Sequence, residues 1–328
     1  MSSRFHVAGI GNAIVDVIAT CEDDFISKHA LNKGAMTLIE AERAEELYAL
    51  MPPGIEMSGG SCANTIAGIA SLGGQSAYIG KVCEDQLGAV FAHDVRALGV
   101  HFDTAPIKGQ PPTARCLILV TPDAERTMNT YLGACVELTP DDVDEEIIAA
   151  AQVTYMEGYL WDRPEAKEAY LKAAATAHDA GRRVSLTLSD TFCVERHRES
   201  FRDLVRGHVD ILFANEDEIM ALYEVDSFEA AVEAVRGDCE MVALTRSEKG
   251  AVILAGTQHY EIPARTFGRV VDTTGAGDLF AAGFLAGLTQ GRHLAECGKM
   301  GVIAAGEIIS HVGARPERPL ARLMEEEL

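Results

Sequence analysis

Short apolar runs and helix-spaced apolar positions alternate along most of this 328-residue chain. Phe5–Ile10 is an apolar run that ends in Gly9-Ile-Gly11 and predicts a buried first strand. Helical spacing predicts helices over 41–50, 64–72 and 86–98, with a strand over 76–79 between the last two. Beyond residue 132 the alternation is regular. Helices over 140–150, 164–180, 198–207, 217–223 and 228–235 interleave with strands over 153–156, 183–188, 209–214 and 241–245. A hairpin over 251–261 and two apolar helices over 278–289 and 293–309 follow. Repeated strand–helix units imply a parallel sheet with helices on both faces. Residues 17–57 and 101–132 break the pattern, and the second holds an apolar pair, 115–121 and 126–132, around Pro122-Asp123. The expected fold is therefore α/β. A large α/β domain of residues 1–16, 58–100 and 133–328 carries a small β-rich lid of residues 17–57 and 101–132.

Composition narrows the function. A net charge of −22 repels nucleic acid and anionic lipid, so neither is an expected partner. The eight cysteines form no Cys-x-x-Cys pair, which fits a reduced, cytoplasmic chain with neither disulfides nor a zinc site. Asn12 and Asp16 interrupt the first apolar stretch and defeat a signal-peptide reading, and no apolar run is long enough to span a bilayer. Gly9-Ile-Gly11-Asn-Ala-Ile14 lacks the third glycine of a dinucleotide fingerprint, and Gly80-Lys81-Val82 lacks the spacing and hydroxyl residue of a Walker A loop.

The densest chemical signal is Asp272-Thr-Thr-Gly-Ala-Gly-Asp278, followed by an apolar helix. A glycine-rich turn at a helix N-terminus offers unpaired N–H groups to an anion, as a transferring phosphoryl group requires. Asp278, at the start of that helix, is placed to take a proton from a nearby hydroxyl. This segment, with the Leu279-Phe-Ala-Ala-Gly-Phe284 that follows, resembles the C-terminal signature of the ribokinase (PfkB) superfamily of carbohydrate and nucleoside kinases. Gly59-Gly60-Ser61-Cys62-Ala63-Asn64, Leu72-Gly73 and Ile79-Gly80 resemble its N-terminal signature. The two signatures stand in the right order, more than two hundred residues apart, and the resemblance spans essentially the whole chain. Gly11-Asn-Ala-Ile-Val-Asp16, Leu186-Thr-Leu-Ser189 and Val209-Asp-Ile-Leu-Phe213-Ala-Asn215-Glu216 bring the adenosine kinase branch nearest.

The resemblance implies a ribokinase-like three-layer α/β/α sandwich with a lid. It implies ATP-dependent phosphorylation, with magnesium, of the 5′-hydroxyl of a nucleoside, adenosine foremost, by a monomer or homodimer. A ribose- or fructose-type sugar kinase is the alternative, and a non-catalytic nucleoside-binding protein a more distant one. Asp278 becomes the base, and Gly275, Ala276 and Gly277 the anion-binding turn. Arg126 is placed to reach the transferred phosphate. Asn12, Asp16, Gly59, Gly60, Ser61 and Asn64 line a ribose site, and Ile14, Met36, Leu38, Met128 and Leu160 an apolar slot for the base. Asn215 and Glu218 are assigned to phosphates and hydrated magnesium, and Thr245 and Gly250 to ATP, although Ser247 stands where relatives carry the first glycine of that loop. Asp272, with carbonyls near Gly313, is assigned to a monovalent-cation (K+) site.

Overall fold

The computed structural model describes residues 3–123 and 125–328. The chain opens with β1 (Phe5–Ile10), β2 (Ile14–Thr20), α1 (Asp23–Lys28), β3 (Met36–Leu38), α2 (Ala41–Leu50), β4 (Ile55–Gly59) and α3 (Ser61–Ser71). It continues through β5 (Ser76–Ile79), α4 (Gln86–Ala97), β6 (Ala114–Val120), β7 (Arg126–Tyr131), α5 (Glu145–Ala150) and β8 (Ala151–Glu157). Next come α6 (Pro164–Asp179), β9 (Arg183–Thr187), α7 (Thr191–His208), β10 (Ile211–Asn215), α8 (Glu216–Tyr223), α9 (Phe228–Val235) and β11 (Met241–Thr245). The chain closes with β12 (Ala251–Ala255), β13 (Gln258–Ile262), α10 (Ala276–Thr289), α11 (Leu294–Ile308) and α12 (Leu320–Glu327).

These strands form two sheets. The larger has the order β13-β12-β11-β10-β9-β8-β1-β5, parallel from β5 to β11 and antiparallel at the β12–β13 edge. Helices cover both faces, because successive strand residues point to opposite sides. Val7 and Phe213 join one core with residues of α3, α10 and α11. Ala8, Ile10 and Leu212 join the other with residues of α5 to α9. Helix α10 is apolar all round and lies against α11. A Cβ on Gly283 would stand 2.4 Å from the Met300 carbonyl oxygen, so only glycine permits that approach.

The smaller sheet has the order β3-β7-β6-β2-β4. Its strands start at Ile14 and reach Gly59, so the pairing extends beyond the 17–57 segment at both ends. His101, by contrast, bridges to Ala77 of the larger sheet. One face of the small sheet is closed. Val15, Val17 and Leu117 are buried there in a core shared with Leu47 of α2 and Phe91 of α4. Its other face carries Ile14, Asp16, Arg126 and Met128.

Several boundaries differ from the sequence expectation. The helix expected over 140–150 is a 3-10 turn, Pro140–Asp142, followed by α5, which Asp144 caps through the N–H groups of Glu146 and Ile147. The helix expected over 198–207 is the second half of α7, which bends at His197, where φ is −124°. Strands β2, β3 and β4 and helices α1 and α12 were not anticipated. Strand β4 carries Glu56, Ser58 and Gly59, a composition that hides a strand.

Candidate active site

The chain leaves β1 at Ile10 for the carboxyl edge of the larger sheet, where open α/β sheets bind ligands. Two points on that edge, the end of β1 and the start of α3, are tied together by one carboxylate. Glu157, the last residue of β8, is 1% exposed and accepts the N–H of Asn12 (2.8 Å) and of Cys62 (2.7 Å). Burial raises its pKa to about 7, against the two N–H groups that favour the anion. Gly60 has φ +94°, and a Cβ there would stand 2.3 Å from the Asn12 carbonyl oxygen, so a glycine is required. Asn12 and Asn64 are buried, and the Oδ1 of each has no partner among the described residues. Two unpaired buried acceptors at one place are poised for hydroxyl donors.

Register fixes what faces them, because paired residues share a sheet face. Asp16 pairs with Cys116 on β6 and Met57 on β4, and Ile14 with Ala114 and Gly59. Further along the ladder Ile118 pairs with Met128, Val120 with Arg126, and Met36 with Met128. Ile14, Asp16, Met36, Leu38, Arg126 and Met128 therefore share the open face. Met36 and Leu38 are 49% and 51% exposed, an apolar strip left uncovered among the described residues. Burial raises the Asp16 pKa to about 6, opposed by the charges of Arg315 and Arg126.

Asp278 sits where the two parts meet. Helix α10 starts at Ala276, two residues before the expected start, with Gly275 in a left-handed conformation as its cap (φ +79°). Asp278 is therefore the third residue of the helix and not its cap. Its carboxylate accepts Ser61 Oγ (2.6 Å) and Asn64 Nδ2 (3.0 Å), and its carbonyl accepts Thr65 Oγ1 (3.1 Å). Burial raises its pKa, while those side-chain donors and Arg315 lower it. The first helical bond runs from Leu279 N to the Gly275 carbonyl, so the N–H groups of Gly277 and Asp278 precede it and stay available to an anion. Asp272 is anchored at the far end of this turn. It accepts the N–H groups of Thr274 and Gly313 (both 3.0 Å) and pairs with Arg126, both side chains being 8% exposed.

The other end of the carboxyl edge holds Asn215 and Thr245, partners on neighbouring strands. Asn215 caps α8 in a reciprocal box, receiving the Glu218 N–H (2.8 Å) and giving its own N–H and Nδ2 to the Glu218 carboxylate (3.0 and 2.6 Å). Burial raises the Glu218 pKa to about 7. Past Thr245, Ser247 adopts φ +49° and Gly250 φ +89°. The serine thus stands in a backbone region that favours glycine, and the turn forms in spite of it.

Residues 38–320 match the sequence pattern of the pfkB family carbohydrate kinase. The chain belongs to the pfkB carbohydrate kinase family. Two solved structures share its fold with TM-scores of 0.92. One is adenosine kinase from Sinorhizobium meliloti, 54% identical and covering 99% of this chain and 100% of the other. The other is a probable sugar kinase protein from Rhizobium etli CFN 42, 55% identical and covering 99% of both. The adenosine kinase of Saccharomyces cerevisiae is 27% identical over 93% of this chain and 94% of its own length. The fold is ribokinase-like, and the protein is a phosphotransferase that uses ATP, as kinases of the pfkB family do, usually with magnesium.

Against the pfkB signatures, one placement departs from expectation. Leu160 is 2% exposed and packs in the core that holds Trp161 and Tyr170, so it is a core residue and not a wall of an open slot. Both oxygens of Glu218 bond to Asn215, and among the described residues no group of three or more His, Cys, Asp or Glu could hold a metal. That donor set is compatible with the expected magnesium carried on nucleotide phosphates with its own waters. Asp272 faces the Arg126 guanidinium and the Gly313 N–H. Sequence reasoning missed Glu157 and Arg315. Neither lies in a signature, and only the fold brings them to this site. Among the described residues no helix is long and apolar enough to cross a membrane.

Proposed function

We propose that this chain transfers the γ-phosphoryl group of ATP to the 5′-hydroxyl of adenosine, giving AMP and ADP. One observation carries the reading: the Asp278 carboxylate, held by Ser61 and Asn64, lies between a turn with free N–H groups and a buried pair of unpaired amide oxygens. Asp278 takes the proton of the 5′-hydroxyl as that oxygen bonds to the γ-phosphorus, and the bond to the bridging oxygen breaks to release ADP. The N–H groups of the Gly275–Gly277 turn stabilise the charge on the transferred group. Arg126, now paired with Asp272, is within the same region and exchanges that carboxylate for the phosphate. Magnesium on the ATP phosphates neutralises part of their charge.

The acceptor's ribose hydroxyls donate to Asn12 and Asn64 Oδ1, with Asp16, Gly59 and Gly60 around the ring. Ile14, Met36, Leu38 and Met128 take the base, and covering an aromatic ring there contributes on the order of 2–3 kcal/mol. Asn215, Thr245 and Gly250 lie on the nucleotide side. Residues 17–57 and 101–132 act as a lid hinged on the large domain, and the strand pairing supports extending it to 14–59. The eight free cysteines suit a reducing cytoplasm.

A sugar kinase is the second reading, favoured by the likeness to the Rhizobium etli protein. The test compares kcat/KM for adenosine, inosine, cytidine, ribose and fructose with ATP and magnesium. Adenosine should exceed ribose by roughly a hundredfold. Ribose or fructose equalling adenosine would replace the nucleoside reading with the sugar-kinase one.

A further inference from the structure

The loop after α11 sends Arg315 into the site from the opposite end of the sequence. Its guanidinium donates to the carbonyl oxygens of Ser58 (2.9 and 3.3 Å) and Ala63 (2.6 Å) and to Ser58 Oγ (3.2 Å). Ser58 belongs to β4 of the small sheet and Ala63 to the first turn of α3, so one side chain spans the six-residue Ser58–Ala63 passage between the two sheets' territories. That passage contains Gly59, Gly60 and Ser61. No carboxylate forms an ion pair with Arg315 among the described residues. An arginine taken from water and given only neutral oxygen partners is costly, and its pKa falls to about 10, which still leaves it charged at neutral pH. Its charge acts through space on Asp16 and Asp278, both of which it favours as anions.

We propose that Arg315 is a positioning residue for phosphoryl transfer, whose guanidinium locks the Ser58–Ala63 passage and sets a fixed positive charge against Asp16 and Asp278. The inference rests on Asp278 being the base. Burial pushes the Asp278 pKa up, and the Ser61 and Asn64 hydrogen bonds and the Arg315 charge pull it down. Asp16 on β2 and Glu157 on β8 are acidic, Tyr155 on β8 and Cys62 on α3 are buried with raised pKa values, and Arg126 on β7 acts on Asp16. Arg315 is the cation acting on Asp278 itself. Without it, burial holds the proton on Asp278 to higher pH, and a protonated base cannot accept the acceptor's proton. The hydrogen bonds have a separate consequence. They fix Gly60 and Ser61 relative to Asn12, so their loss weakens acceptor binding at every pH.

The two parts separate experimentally. kcat and KM for adenosine are measured across pH 5 to 9 for the parent chain, Arg315→Met, Arg315→Gln and Arg315→Lys, with thermal unfolding of each. In the neutral variants the acid limb of kcat/KM should move up by about one pH unit, as expected for removing a nearby opposite charge. Lysine keeps the charge with fewer bonds. Its limb should stay with the parent while KM rises several-fold. Equal limbs in parent and neutral variants, or a lysine limb that moves with the neutral ones, overturn the proposal. If Arg315→Met does not fold, Arg315→Gln, which keeps amide donors for Ser58 and Ala63, supplies the neutral arm. A parent chain that phosphorylates ribose or fructose but not adenosine overturns the nucleoside reading alone, and the limbs are then compared on that acceptor.

Discussion

Asp278 differs from an ordinary helix-start aspartate in what it bonds. A capping aspartate accepts N–H groups of its own helix, whereas Asp278 accepts two side chains from α3, more than two hundred residues earlier. Asp278→Asn should therefore fold, retain ATP binding and lose at least ~10²-fold in kcat, the lower range for a general base. Near-normal turnover with adenosine would remove Asp278 from that role. Glu157 makes a different prediction, about stability. Its folded-state pKa of about 7 lies above the unfolded 4.5. Its contribution is thus fully present below the lower value and is lost as pH rises through the higher. Glu157→Gln should gain stability relative to the parent between pH 5 and pH 8, by on the order of 1–3 kcal/mol. Urea denaturation at the two pH values measures this, and a difference that is flat with pH contradicts it.

Elements tell which parts of this molecule a sequence can announce. The parallel strands β8 to β11 are continuous apolar runs between helices, and their pairing order follows the chain, so both were legible. The small sheet was not, because Ile55–Gly59 is half polar and Met36–Leu38 is only three residues long. Their strand character comes from partners far along the chain, which no local window contains. Within the candidate site, the glycine turns and the Asp278 helix carry recognisable spacing. Glu157 and Arg315 are single residues whose meaning depends on the 145- and 257-residue separations that the fold closes. The start of α10 gives an element-level test. A Cβ on Gly277 would meet nothing within 4 Å, so Gly277→Val is expected to fold with a Tm close to the parent. The side chain would instead occupy the space a phosphoryl group needs beside the free N–H groups. Turnover should fall by ~10²-fold or more, comparable to losing an anion-stabilising donor. A fully active variant would move the phosphate elsewhere.

At the scale of the whole molecule, the small sheet joins the large domain through the core it shares with Phe91 and through polar links that include Arg126 with Asp272, Arg315 with Ser58 and the Ser58 N–H with Asp94. On the proposed reading the small sheet closes on an acceptor and excludes water, the competing nucleophile. Amide hydrogen exchange over residues 14–59 and 114–131 should slow at saturating adenosine, while β8 to β11 change little. Unchanged exchange in both small-sheet segments would count against closure. The route of the chain carries one more consequence. It leaves the large sheet after Ile10 and returns at Ser61, and the apolar strip of Ile14, Met36, Leu38 and Met128 lies wholly on strands of the small sheet. The phosphoryl-transfer turn and Asp278 are contributed by the last sixty residues of the chain. On the proposed assignment, the slot for the base and the general base thus lie in separate stretches of the coding sequence, with Arg126 of β7 the small sheet's contribution at the phosphate. A transplanted small sheet that kept an arginine at position 126 could redirect one kinase to another's acceptor while the general base remained that of the host.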